Sequence, residues 1–340
     1  MQHRTTSLAV LLGLSMLFGS SVVHAQYQVT DLVSNQAKTA RTTDPLLVNA
    51  WGLTNPPGGP FWISDNGSGW STLYNATGSK VPLNVLIPSA GDGPGSPTGI
   101  VFNDPSDGEF QVQGWPSIFL FATLDGSISG WAPQSNPNAA IIAVKTPHAV
   151  YTGLAITSHA SGNVLFAVDN ANNKVDSYDG NFHLVKSFTD TSLPAGFAAF
   201  GIQDFGGLVY VTFANSSGAA DGFIDIYSED GTLLKQLASG APLNQPWGLA
   251  IAPKDFGPLS NTLLVSNNTN TGTINAFNAV TGQFVGTVKD LNNKPVVIDQ
   301  LWAIRFGGGA AADGATNQLF FTAGPDNNNA GLFGVIAFKP

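Results

Sequence analysis

One four-residue phrase returns six times along this chain and constrains its fold more than any other feature. It reads WGLT at 51, TGIV at 98, TGLA at 152, FGIQ at 200, WGLA at 247 and WAIR at 302, with spacings of 47, 54, 48, 47 and 55 residues. Repeats of this length built from short strands are the signature of β-propeller blades, four-stranded antiparallel sheets set around an axis. The expected fold is all-β: a six-bladed propeller of four-stranded antiparallel blades.

Alternation inside the phrase explains its recurrence, because neighbouring side chains of a strand point to opposite faces. One face carries Leu53, Ile100, Leu154, Ile202, Leu249 and Ile304. The other carries Gly52, Gly99, Gly153, Gly201, Gly248 and Ala303, followed two positions on by Thr54, Val101, Ala155, Gln203, Ala250 and Arg305. Gly weakens a strand, so five at one register position mark a close approach. The expectation is an innermost strand whose small face crowds the axis and whose aliphatic face packs between blades.

Each phrase leads into a second strand, a polar turn and a third strand, as in FWISDNGSGWSTLYN and FLFATLDGSISGWAP. The sixth repeat reaches Pro340 without a fourth strand, whereas YQVTDLV at 27–33 precedes the first phrase with no blade of its own. The N-terminal strand is therefore expected to close the last blade and remove an open edge. The 39 Gly and 21 Pro fit such a turn-rich chain.

Residues 1–25 read as a secretory signal peptide, with Arg4, the apolar run LAVLLGLSMLF and a Val23-His24-Ala25 cleavage site. Residues 26–340 are then one propeller domain, exported to the periplasm or beyond the cell, with no integral membrane segment after cleavage. No Cys is present, so neither a disulfide nor a lipid-anchored cysteine is available. Without the leader, 12 basic residues stand against 22 acidic ones, which argues against nucleic acid as a partner.

The phrases LLVNAWGLT, GGPFWISDNGSGWSTLYN, FATLDGSISGW, NQPWGLAIAPKDFG and LWAIRFG resemble those of secreted bacterial NHL-like six-bladed propellers. The resemblance runs over nearly the whole chain after the leader and implies fold and export, with no catalytic residue carried over. Some members end in a Pro-Glu-Pro sorting tail. This sequence ends in GVIAFKP, which implies a released form.

Candidate ligand-binding residues follow from the propeller geometry. The turn between the second and third strands and the loop leading into the inner strand open on one end of the ring. That end should collect Asp65, Asn66, Asp125, Asp169, Asn170, Asn215, Asn267, Asn268 and Asp326. Their oxygens suit Ca²⁺ or a sugar, while the same residue types also serve tight turns through local backbone bonds. Gln203 and Arg305 break the small-residue rule, and Asp299 or the turn residues are expected partners for the guanidinium. Arg305 is then either a plug tying blades together or an anion-binding group.

Six-bladed lactonases of the gluconolactonase type carry metal-binding Asn or Asp just before the anchor glycine. Here those positions hold Trp51, Thr98, Thr152, Phe200, Trp247 and Trp302. The four aromatics are expected to pack between blades or to form a rim for stacking on a flat ligand. His148, His159 and His183 lack ligand spacing, and GGGAAADG at 307–314 reads as loop glycines because no helix follows. Two functions remain: a secreted binding or scaffold module recognising a glycan, peptide or protein at the axial funnel, or a Ca-type lactonase-like hydrolase or lyase. The missing catalytic constellations favour binding.

Overall fold

The computed structural model describes residues 26–158 and 162–340. The expected signal peptide and His159 lie outside the described residues. Each anchor phrase forms the innermost strand of its own sheet: Ala50–Thr54, Pro97–Phe102, Tyr151–Thr157, Phe197–Asp204, Pro246–Ile251 and Leu301–Phe306. Blades one to five then run outward in chain order as four antiparallel strands. In the sixth, Leu301–Phe306, Gln318–Ala323 and Leu332–Lys339 are completed by the N-terminal strand Gln26–Ser34, which pairs antiparallel with Leu332–Lys339. Thr42–Thr43 then adds in parallel outside it. The six-bladed ring and its closure agree with the sequence reading.

The core is divided among the seams. Six buried apolar clusters each join neighbouring blades. Ile304, Phe321 and Ile336 of blade six, for example, pack on Ala250, Leu264 and Ile274 of blade five. Phe61 and Tyr74 of blade one pack on Phe320 and Phe333 of blade six, which carries burial across the closing seam.

The anchor glycines face the next blade's inner strand, which corrects the expectation that they face the axis. A Cβ on Gly52 would lie 2.2 Å from the Thr98 carbonyl oxygen, and one on Gly201 would lie 2.1 Å from that of Trp247. At Gly248 the Trp302 carbonyl is 2.6 Å away, whereas Gly153 is looser, with Ile202 Cγ2 at 3.2 Å. Backbone thus meets backbone at most seams, leaving no room for a side chain.

A hydroxyl bridges five of these seams. Thr98 and Thr152, just before the anchor glycines, donate at 2.7 Å to the carbonyls of Tyr151 and Phe200 in the following blades. Blades four to six have an aromatic at that position, and the hydroxyl moves to the second strand. There Thr212, Ser266 and Thr322 donate to the Pro246, Trp302 and Trp51 carbonyls.

Candidate functional site

The two ends of the ring differ. We call the end where inner strands begin the top face and the end where they finish the bottom face. Near the top, Trp51 and Trp302 stack with centroids 3.5 Å apart, and Trp247 stands edge-on to both at 6.3 and 5.8 Å. Phe200 meets Trp302 edge-on at 5.9 Å. The three tryptophans are buried and Phe200 is half-buried, so this cluster occupies the axis. Trp247 Nε1 donates across the ring to the Thr152 carbonyl at 3.1 Å, and Trp302 Nε1 donates to Asn49 Oδ1 at 3.0 Å.

Below this cluster the axis opens into a cavity of about 270 Å³ lined by inner strands of all six blades. Leu53, Ile100, Leu154, Ile202, Leu249 and Ile304 ring it, each nearly buried. A mouth of about 500 Å³ adjoins it at the bottom face, between the loop after Thr54 and the glycine loop after Phe306. Gln203 and Arg305 line both spaces.

Arg305 is oriented by a short chain of bonds. Its Nε donates to Asn55 Oδ1 at 2.6 Å, and Asn55 Nδ2 donates to Asp313 Oδ2 at 3.3 Å. Asp313 is fully buried and also accepts from the backbone amides of Gly58 at 3.1 Å and Ala310 at 2.7 Å. The loop glycines allow this approach: a Cβ on Gly308 would lie 2.2 Å from Asp313 Oδ2. Burial lowers the guanidinium's pKa from its ordinary value, with the Asp313 charge acting the other way. Beside it, Gln203 Nε2 donates only to the Asp204 carbonyl, at a long 3.4 Å.

The remaining expected site residues sit at the top face. Asn66, Asn170 and Asn268 donate to the carbonyls of Pro97, Ala199 and Leu301, at 3.2, 2.8 and 3.2 Å, each just ahead of or within the next inner strand. Asp169 accepts from the Val150 amide at 3.1 Å and Asn172 Nδ2 at 2.7 Å. Asn267 accepts from the Asn244 amide at 3.1 Å and donates to the Pro242 carbonyl at 2.8 Å. Asn215 caps its own turn through the Ser217 amide at 2.9 Å. Asp125 accepts from the Ala90 amide at 2.6 Å and Ser127 Oγ at 2.8 Å; burial raises its pKa, but these bonds prevail and hold it below the usual value.

Asp299 accepts the Asp326 amide at 3.0 Å, and the exposed Asp326 bends the chain at φ 58°. Arg305 therefore finds Asn55 as its partner where Asp299 or the turns were expected. Asp65 is fully buried with neither oxygen hydrogen-bonded among the described residues, and burial pushes its pKa well above the carboxylate range. Among the described residues no group of three or more His, Asp or Glu is placed to hold a metal ion.

Sequence reading missed Asn55 and Asp313. Their signals were present: Asn55 is the polar residue just after the first anchor, and Asp313 is the acid inside the glycine loop. Their meeting needs the closed ring, since 258 residues separate them.

Fold and cavity together define the chain as a six-bladed β-propeller with an axial cavity. Virginiamycin B lyase from Staphylococcus aureus has a similar fold, with a TM-score of 0.53 and 12% identity over 92% of this chain and 99% of the lyase. Hydrazine synthase of Kuenenia stuttgartiensis gives 0.54 and 14% over 85% and 77% of the two chains. At such identities the likeness concerns fold alone.

Sequence relatives are nearer. "Uncharacterized protein R648" of Acanthamoeba polyphaga mimivirus is 30% identical over 343 residues, covering 94% of this chain and 82% of the viral protein. A second uncharacterized protein of the same virus is 28% identical over 94% and 88% of the two chains. The chain belongs to the family that includes these mimivirus proteins. No protein-family model matches it.

Proposed function

We propose that the protein is an exported binding module whose ligand seat is the axial cavity at the bottom face. The observation that carries this reading is Arg305. A guanidinium is held by its Nε at the mouth of an apolar chamber, while its terminal nitrogens have no hydrogen-bond or ion-pair partner among the described residues. Desolvating a charge without a partner is costly, and folds retain such groups where a ligand completes them. The chamber has the form of a small-molecule site: concave, ringed by aliphatic side chains, with a few converging polar groups.

Binding is favoured over hydrolysis by the polar groups facing the chamber. Across chamber and mouth they are the Arg305 guanidinium, the Gln203 and Asn55 amides, the Thr54 hydroxyl and one carboxylate, Asp313 at the mouth, whose oxygens already accept three bonds. The one carboxylate is thus engaged in holding the loop and Asn55, and no His or second acid stands beside it to form a catalytic pair. Export follows the reading of residues 1–25 as a cleaved leader, with 26–340 as one domain akin to secreted NHL-like propellers. A glycan, peptide or protein partner would present a small group to the cavity. No helix among the described residues is long and apolar enough to cross a membrane.

Ligand-observed NMR with a fragment set tests the seat. Gln203 is half-buried and lines both the chamber and its mouth, so Gln203→Trp should fill them and abolish the fragment contacts seen with the unaltered protein, while circular dichroism stays the same. Identical fragment binding by both proteins would refute the seat. N-terminal sequencing of exported protein should begin at Gln26.

A further inference from the structure

Resting on that reading of the cavity, we infer that its ligand is a monocarboxylate with an apolar body. The carboxylate would meet the terminal nitrogens of Arg305 and the body would lie against the aliphatic ring. Three observations lead there.

The first is the geometry of the guanidinium. Nε is engaged by Asn55, and Asn55 is itself fixed because its amide nitrogen donates to Asp313. The plane of the fork is thereby set before any ligand arrives, with its terminal nitrogens unpartnered among the described residues. Two coplanar oxygens match a guanidinium fork, which is why arginine recognises carboxylates so often. Gln203, lining the same space with one long bond, supplies a further polar group to the ligand's head.

The second is the charge inventory. Arg305 and Asp313 are the charged residues that line the two spaces, and Asp313 lies beyond ion-pair distance of the guanidinium. One cation is available to an incoming anion and the acid is nearby, so a second negative charge on the ligand would have no counterpart. A dianionic phosphate fits poorly, and the chain's net charge of −9 adds to that bias.

The third is the chamber itself. Its wall is six Leu and Ile side chains, one from each blade, closed at the top by the aromatic cluster. The six side chains of this ring offer a sugar no hydrogen bonds, whereas a hydrocarbon body gains by leaving water. Head and body requirements meet in one small amphipathic acid.

Octanoate, octanamide and octyl phosphate serve as probes, read by isothermal titration and by the fluorescence of Trp247, which borders the chamber. Octanoate should bind at least tenfold more tightly than octanamide or octyl phosphate. Arg305→Gln should remove that preference, and Arg305→Lys should retain part of it by keeping the charge without the fork. Circular dichroism of both variants guards against misfolding. Equal affinities for octanoate and octanamide, both lost in Gln203→Trp, would overturn the carboxylate and leave the seat standing. Tighter octyl phosphate would also overturn it. Binding of neither probe would reject the acid, while the fragment experiment above decides separately whether the cavity is a seat at all.

Discussion

At the top face, Asn66, Asn170 and Asn268 each reach across a seam to a carbonyl, while Asp169 and Asn267 hold the turns beside them. At the bottom face, a single Arg305 is held by one nitrogen over an apolar chamber. Polar side chains are far more numerous at the top, yet most already have partners within the protein. What marks a ligand seat is therefore the donor left unengaged after the fold has made its own bonds, and the count of polar residues is a poor guide to it.

Removing a member of the aromatic cluster should give the largest effect. Trp302→Ala takes away the stack on Trp51, two edge contacts and the Nε1 bond to Asn49, and should cost about 3–5 kcal/mol in denaturant unfolding. A loss under about 1 kcal/mol would mean that the top of the axis is loosely filled, and the contrast between faces would weaken.

Next come the seams. Gly201→Ala puts a methyl 2.1 Å from a backbone carbonyl, whereas Gly153→Ala meets a movable Ile202 methyl at 3.2 Å. The first should cost about 1–3 kcal/mol and the second clearly less, measured by thermal unfolding. Equal losses would contradict the assignment of the glycine face to the neighbouring blade.

Blades three and four offer a similar contrast on their third strands, two strands further out. Asp176 bonds Lys174 at 2.8 Å and Tyr151 at 3.1 Å, whereas Asp225 at the same position has no such cation among the described residues. Burial, aided by the charge of Asp190, pushes the Asp225 carboxyl up to about 7. Because that folded-state value lies above the unfolded one, the folded protein keeps a proton that the unfolded chain releases. Stability should fall as pH rises from about 4 to about 7 and level off above. Asp225→Asn removes this penalty and should raise the unfolding free energy at pH 8 more than at pH 4, by roughly 1–3 kcal/mol in the difference, measured by denaturant unfolding. Equal gains at both pH values would show that the carboxyl is not the cause.

A smaller effect is expected at the top-face amides. Asn268→Ala removes one donor to the Leu301 carbonyl and should cost about 1 kcal/mol without altering ligand binding at the bottom face. A change in binding would show that the two faces are coupled.

Much of the fold was legible in the sequence. The anchor phrases gave blade number and register because alternation is a local property of a strand, and the orphaned YQVTDLV gave the closure. Which way the glycines look was not legible, since it depends on how far neighbouring sheets rotate against each other. Gln203 and Arg305 stood out as exceptions in a column of small residues, and the fold places both at the cavity. Asn55 and Asp313 could not be paired from sequence, because they meet only when blade one comes round to blade six. The Asn and Asp of the turns were ambiguous because turn chemistry and ligand chemistry use the same side chains.

The most direct test is the melting temperature of the unaltered protein and of Arg305→Met, each with and without excess octanoate. An anion-binding arginine contributes little to the fold, so the variant alone should melt at or above the unaltered protein's temperature, within about 1 kcal/mol. Octanoate should then stabilise only the protein that keeps the guanidinium. A variant that melts well below the unaltered protein, and gains as much from octanoate, would show that Arg305 braces the ring and that the cavity's cation has no part in binding.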